Sequence, residues 1–196
     1  INECQVSEDD RLTNVNPIYF DNSVFDFYTA LFSGAALVPF RKEWTNRPND
    51  LIKKIDELGC TIWFSVPSFL IYLDTMKVFS SSVFKTIRII SFGGEGFHKK
   101  PLKRLYDAFH HRTRFINVYG PTEGTCICSS YEITDNDFEK LDSIPPIGRI
   151  NQNFDYLIID DCSTDDSLSV IEQYNDPRIR LIKNENNLGT AKTINK

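Results

Sequence analysis

The sequence predicts an α/β fold, a mainly parallel sheet flanked by helices, followed by one separate βαβ unit. Three observations carry this. Along most of the chain, apolar positions switch between helical spacing and short strand-like runs, the pattern of helices covering a sheet. The runs Tyr156 to Ile159 and Ile179 to Ile182 read as apolar on both faces, as buried parallel strands are. The chain has 196 residues, 41% hydrophobic and 25% charged, which suits one domain plus a piece of another and excludes a disordered or fibrous chain.

Taken in order, Ser23 to Phe32 reads as a helix ending at Gly34, followed by a short buried strand from Ala35 to Pro39. Leu51, Ile52, Ile55 and Leu58 share one helical face closed by Gly59, and Thr61 to Phe64 is the next strand. Pro67 opens a helix through Met76, and Ile87 to Phe92 is an apolar strand. Leu102, Leu105, Tyr106 and Phe109 then form a helical stripe ahead of a strand from Phe115 to Val118. Thr125 to Ile133 reads as a β run that would point Cys126 and Cys128 the same way, and the polar stretch to Pro146 as a loop with one helical turn. Beyond Gly148, Tyr156 to Ile159 is a buried strand and Thr164 to Tyr174 a helix capped by Ser163 or Thr164. Ile179 to Ile182 is a second strand, and another helix starts near Thr190.

Net charge is −5, with 17 basic and 19 acidic residues up to residue 150 and five and eight after it. Neither part is a basic surface for nucleic acid. The longest apolar stretch, Trp63 to Leu73, is broken by Ser65, Pro67 and Ser68 and falls short of the roughly 20 residues that span a bilayer. No membrane anchor is expected. Five cysteines without zinc-site spacing point to a reduced, cytoplasmic setting. Ile1 follows no initiator Met, basic segment or apolar segment, so the start reads as a cut and not a signal peptide.

The strongest local signal is Asn117-Val118-Tyr119-Gly120-Pro121-Thr122-Glu123, a strand entering a Gly-Pro turn that exposes a hydroxyl beside a carboxylate. Such a turn can face phosphate oxygens and Mg²⁺, with Tyr119 offering a face to a flat base. Equally, it can be a plain hairpin with a solvent-facing Glu. In the tail, Tyr156 to Asp166 is a strand ending in acids at a helix start, where simple capping competes with ligand binding.

Asn117 to Glu123 resembles the Asn-X-Tyr-Gly-Pro-Thr-Glu signature of adenylate-forming enzymes. It is accompanied, in the right order, by Phe20-Asp21-Asn22-Ser23-Val24-Phe25-Asp26, Phe92-Gly93-Gly94-Glu95 and Pro146-Ile147-Gly148-Arg149, which are similar to motifs of amino-acid adenylation domains. Residues 15–150 carry the likeness, and Ile62 to Leu70 and Tyr131 to Thr134 resemble the D-alanine to carrier-protein ligases within the family. The resemblance implies a partial AMP-binding domain over 1–150, using ATP and Mg²⁺ to activate an amino acid for a carrier protein. It implies that Asp21 holds the substrate ammonium, a charge-assisted pair. Gly93, Gly94 and Glu95 would line the amino-acid and adenine pocket, and Asn117, Tyr119 and Gly120 would meet the nucleotide. Thr122 would bind phosphate and Glu123 Mg²⁺, the two acting as the catalytic pair. D-alanine ligases typically carry Cys where this chain has Gly93, which puts D-alanine specificity in doubt.

The family's phosphate-gripping loop with its Lys, its ribose-binding Asp and its lid Lys are not found here, and Gly93 to Gly96 lacks the spacing to substitute. Weak or absent ATP binding and no catalysis by the chain alone are therefore expected. The alternatives are a non-catalytic nucleotide- or partner-binding remnant, or a glycosyltransferase function in the tail. Residues 153–196, with Asp176 to Arg180 and Asn184 to Thr190, resemble the nucleotide-sugar (Rossmann-like) half of family-two glycosyltransferases, which implies Asp160 and Asp161 on uridine. The lone βαβ unit, assigned to 151–196, leaves one sheet face to dock or to self-associate. The basic positions around Lys99 to Arg114, with His98, His110 and His111, read as a solvated helix face. Trp63 and the Phe-rich positions read as core.

Overall fold

The computed structural model describes residues 4–80 and 82–194, in two units that divide between Arg149 and Ile150. In the first, a sheet has the strand order β2-β1-β3-β4-β5-β6-β7. Its strands are β1 (Arg11–Asn14), β2 (Ala36–Pro39), β3 (Ile62–Ser65), β4 (Ile89–Gly93), β5 (Arg114–Tyr119), β6 (Ser129–Glu132) and the two-residue β7 (Arg149–Ile150). The first five run parallel and β6 is antiparallel to β5. Alternate residues of each strand face opposite layers. Trp63, Ile90, Phe92 and Phe115 pack with Leu51, Ile55, Leu70, Leu102 and Phe109, from α3 (Pro48–Glu57), α4 (Pro67–Thr75) and α5 (Lys99–Phe109). Ile62, Phe64, Ile89 and Ile116 pack with Phe25 and Ala30 of α1 (Asn22–Ser33). A further short helix, α2 (Lys42–Thr45), precedes α3.

The helix ends follow local chemistry. Pro67 and Pro48 occupy first-turn positions, where no amide partner is lost. Gly34 and Gly59 close α1 and α3 in the left-handed region, at φ +74° and +61°. At the amino ends of the strands, Asp10 is buried and pairs with Arg88 at 2.6 Å, while the Thr61 hydroxyl donates to it at 2.7 Å. Burial pushes its carboxyl up, but Arg88, the Ser7 N–H and Thr61 outweigh that and hold it at about 2.

Several expectations are corrected. β1 was not expected: it carries one apolar residue, Leu12, yet it lies inside the sheet between β2 and β3. The strand expected to be buried at 35–39 is β2, at the sheet edge and only half-buried. The β run from Thr125 shrinks to β6, because Thr122–Gly124 forms a 3₁₀ turn and Thr125 and Cys126 adopt φ +59° and +76°. Cys126 and Cys128 are buried outside any strand, and burial pushes both thiols up, Cys126 to about 12. Asp135–Phe138 supplies the single helical turn expected in the following loop.

The second unit pairs β8 (Tyr156–Asp160) in parallel with β9 (Ile179–Lys183). Its helices are α6 (Ser167–Ile171) and α7 (Thr190–Ile194). The helix expected from Thr164 starts later, with Asp166 at its N-cap in place of Ser163 or Thr164. The Asp165 carboxylate accepts the Ser167 N–H at 3.0 Å, a local turn that competes with an earlier start. β8 is not fully buried as expected: Leu157 and, on β9, Ile182 are exposed. Among the described residues no helix is long and apolar enough to cross a membrane.

Candidate functional site

In a parallel sheet the connecting loops gather beyond the carboxyl ends of the strands, where ligands of open α/β folds bind. Here that place is a cavity of about 620 Å³. Asn16, Phe20 and Asp21 reach it from the segment between β1 and α1, and Ser65, Val66 and Phe69 from the end of β3 and the start of α4. Gly94 and Glu95 follow β4, and Gly120, Pro121 and Thr122 follow β5. Five residues singled out in the sequence thus share one wall: Asp21, Gly94, Glu95, Gly120 and Thr122.

Local geometry fixes each of them. Asp21 sits at the N-cap of α1, but its side chain makes no capping bond to the helix. Gly94 adopts φ +87°, which favours glycine. Glu95 accepts the Ser68 N–H at 3.1 Å and the Ser68 hydroxyl at 3.0 Å, satisfying the first turn of α4. Gly120 is crossed so closely that a Cβ there would lie 2.1 Å from the Cys126 carbonyl oxygen. Thr122 opens the 3₁₀ turn that also carries Glu123, and both are exposed.

The other four singled-out residues of this unit lie outside the lining. Glu123 is on the turn beside it. Gly93 packs on β5, where a Cβ would meet the Val118 oxygen at 2.5 Å, so the neighbouring strand already fills the space of a side chain. Asn117 is buried and donates its amide to the Pro146 carbonyl at 2.8 Å, tying two of the sequence motifs together. Tyr119 is half-exposed, and its carbonyl accepts the Cys128 N–H at 2.8 Å. Asn117→Ala is expected to cost about 1–2 kcal/mol, the worth of a buried bond whose partner is left unpaired. Urea unfolding will measure that loss, and amide exchange should quicken around Pro146 to Gly148.

Sequence reasoning missed a polar group behind the cavity. Asp26 on α1 is buried, and its Oδ2 accepts the side-chain amides of Asn14 and Asn16, both at 3.1 Å. Asn16 also donates to the Phe64 carbonyl at 3.0 Å, while Asp26 Oδ1 has no partner. Burial, opposed by the two amides, pushes the carboxyl up to about 7. The signal was present as an acid inside the apolar run Val24 to Leu31, with Asn14 and Asn16 two apart upstream.

Among the described residues no cluster of three or more His, Cys, Asp or Glu could hold a metal by itself. The donors present suit Mg²⁺, which is held by one or two carboxylates together with substrate phosphates and water. Glu123 supplies such a carboxylate beside the Thr122 hydroxyl.

In the second unit Asp160 is buried and its carboxylate accepts the Ser163 N–H at 3.3 Å. Asp161 accepts the N–H groups of Leu188 at 2.9 Å and Gly189 at 2.8 Å, and the Asn184 amide at 2.9 Å. Led by the Leu188 N–H, these bonds hold it at about 2. Its carboxylate therefore organises the loop that starts α7. On α5, Lys100, Lys103 and Arg104 pair with Asp142, Asp107 and Asp74, as a solvated face does.

A mainly parallel sheet with a cavity at its carboxyl ends, lined by residues of three of the four ordered motifs, defines an α/β domain that binds its ligand at the strand ends. The chain belongs to the AMP-binding enzyme family, whose sequence model matches residues 1–167. It is 30% identical over 160 residues to the D-alanine--D-alanyl carrier protein ligase of Bacillus licheniformis, covering 82% of this chain and 32% of that protein. To the L-proline--[L-prolyl-carrier protein] ligase of Pseudomonas fluorescens it is 34% identical over 136 residues, 69% and 27% of the two chains. Among solved structures it resembles the Vibrio cholerae adenylation domain AlmE in complex with glycyl-adenosine-5'-phosphate. There the TM-score is 0.65 at 26% identity, covering 76% of this chain and 27% of that one. IdnL7 is similar at a TM-score of 0.66 and 26% identity, over 77% and 30%. The chain spans about a third of the length of the curated relatives it matches. The model described as glycosyl transferase family 2 matches residues 148–196, which agrees with the likeness seen in the tail.

Proposed function

We propose that the first unit is part of an ATP-dependent ligase that activates an amino acid as aminoacyl-AMP and passes it to the thiol of a carrier protein. The carrying observation is the convergence of Asp21, Gly94, Glu95, Gly120 and Thr122 on one cavity. Asp21 pairs with the substrate ammonium in a half-enclosed site, where a charge-assisted bond outweighs a neutral one. Gly94 leaves backbone bare, so a nucleotide can approach closely. The Thr122 hydroxyl donates to phosphate, and Glu123 would hold Mg²⁺, which neutralises phosphate charge when bound.

The cavity lining contains no Lys or Arg among the described residues. Beside the Mg²⁺ that Glu123 would hold, a pentavalent phosphate with developing negative charge meets no side-chain cation in that lining. The 196 residues are therefore proposed to bind AMP without forming aminoacyl adenylate, which makes a nucleotide-binding remnant the second reading. AMP titration followed by NMR is expected to give a dissociation constant on the order of millimolar, about 4 kcal/mol. Shifts should centre on Gly94, Gly120 and Thr122. Pyrophosphate exchange into ATP above that of a Glu123→Ala variant would restore the enzyme reading for this chain. No shift at about 5 mM AMP would remove the nucleotide-binding remnant.

A further inference from the structure

Asn16 lines the cavity, yet only 8% of it is exposed. Its amide nitrogen has two hydrogens and two acceptors, Asp26 Oδ2 at 3.1 Å and the Phe64 carbonyl at 3.0 Å. A main-chain carbonyl can only accept, so the amide cannot turn over, whichever protonation state Asp26 adopts. The side-chain carbonyl oxygen of Asn16 is thereby held in one orientation. No donor among the described residues reaches that oxygen, and, unlike Asp26 Oδ1, it is not sealed from solvent. It therefore meets the cavity. Asp21 lies further along the same segment between β1 and α1, and its carboxylate makes no capping bond. The other polar groups nearby are engaged: Glu95 holds Ser68, and the Ser65 hydroxyl accepts the Trp63 Nε1–H at 2.9 Å and donates to the Val66 carbonyl at 3.1 Å. One loop thus presents two acceptors, one of them charged, in a lining without Lys or Arg.

We infer that Asn16 is a specificity-determining residue of this site, its carbonyl oxygen accepting a second N–H of the substrate ammonium that Asp21 binds. The inference rests on the proposed pairing of Asp21 with that ammonium. A hydroxyl or a single N–H satisfies one of the two acceptors. An ammonium brings several N–H donors together with the positive charge that complements Asp21. The substrate class is therefore an acid whose amino group carries at least two N–H bonds. Acids without one are rejected, because both acceptors would be left unpaired in the closed site. Asp26 and the Phe64 carbonyl act through Asn16, as positioning groups.

The probes are glycyl sulfamoyl adenosine, a stable mimic of an aminoacyl-AMP, and acetyl sulfamoyl adenosine, the same molecule without its amino group. Each is titrated into the full chain and followed by NMR, with AMP alongside. The glycyl compound is expected to bind more tightly than the acetyl one and to move the Asn16 side-chain carbonyl carbon downfield, as accepting a hydrogen bond does. The acetyl compound should leave that carbon in place. Asn16→Ala should weaken the glycyl compound about tenfold, the worth of a hydrogen bond to a charged group, and the acetyl compound hardly at all. If that variant fails to fold, the two probes and the carbon shift decide the question on the parent chain. Equal affinities for the two probes overturn the inference, as does an Asn16 carbon that the glycyl compound does not move. Equal weakening of both probes in Asn16→Ala would make the residue merely structural and overturns it too. In each of those cases AMP binding would leave the nucleotide reading standing, whereas no binding of any of the three compounds removes both.

Discussion

Stability of the parent chain is expected to fall between about pH 4 and pH 7, and an Asp26→Asn variant is expected to lose that dependence. In the unfolded chain this carboxyl ionises at its ordinary 3.8, and in the folded protein burial raises that to about 7. Below pH 4 both states carry the proton, and the native contribution is fully present. Between the two values the unfolded state releases a proton that the folded state keeps, so stability falls as pH rises. The gap between the two ionisation points is worth about 4 kcal/mol, gone by about pH 8. The asparagine carbonyl can accept both amides now held by Oδ2, but its NH₂ takes the unpartnered place of Oδ1 at a cost of about 1–3 kcal/mol. The variant should therefore exceed the parent by about 2 kcal/mol at pH 8 and fall level with it or below at pH 5. Urea unfolding at both values decides it. Asp10, held at about 2, loses its stabilising ion pair only as pH falls below 4, outside this window. A slope that survives in Asp26→Asn would show that another group is its source.

Gly148→Ala is expected to remove at least about 4 kcal/mol, enough to unfold much of a marginally stable domain. Two causes add. Gly148 has φ +79°, where a side chain costs about 1–2 kcal/mol. An added Cβ would also lie 1.9 Å from the Ser130 carbonyl oxygen, and backbone in a sheet cannot retreat far. Gly120→Ala should be nearly as damaging through its 2.1 Å approach to Cys126, although its conformation carries no such penalty. Gly59→Ala is the matched control, with φ +61° but nothing within 4 Å of the new carbon. It should cost only the conformational 1–2 kcal/mol or so. If Gly148→Ala and Gly59→Ala unfold at the same urea concentration, the close packing of the Gly148 turn against β6 does not exist in solution.

These glycines show where the sequence was legible. Gly120 and Gly148 stand inside two of the four family motifs, so their importance could be read from the order of those motifs. The reason for it, a carbonyl brought close from elsewhere in the chain, could not. The same holds for Gly93, whose missing side chain reads in sequence as a gap in a pocket wall and in the structure as the space taken by Val118. Helices α3, α4 and α5 were legible because their apolar spacing, proline starts and glycine end are local properties. Strand β1 was not, since Arg11-Leu12-Thr13-Asn14 has one apolar side chain and gains its place from neighbours that are remote in sequence.

By itself the sequence determined the α/β class, the family and the identity of the loops that meet at the carboxyl ends of the strands. Periodicity and ordered motifs are written along the chain, and each needs only residues a few positions apart. Tertiary structure alone decided where the polar side chains of those loops turn: Asn117 to Pro146, Glu95 to Ser68 and Asp161 to the Leu188 turn. It also decided that α1 would bury Asp26 and expose Leu31 and Phe32. A spacing of 3.6 residues says which side chains share a face, and only the elements packed around the helix settle which face is covered.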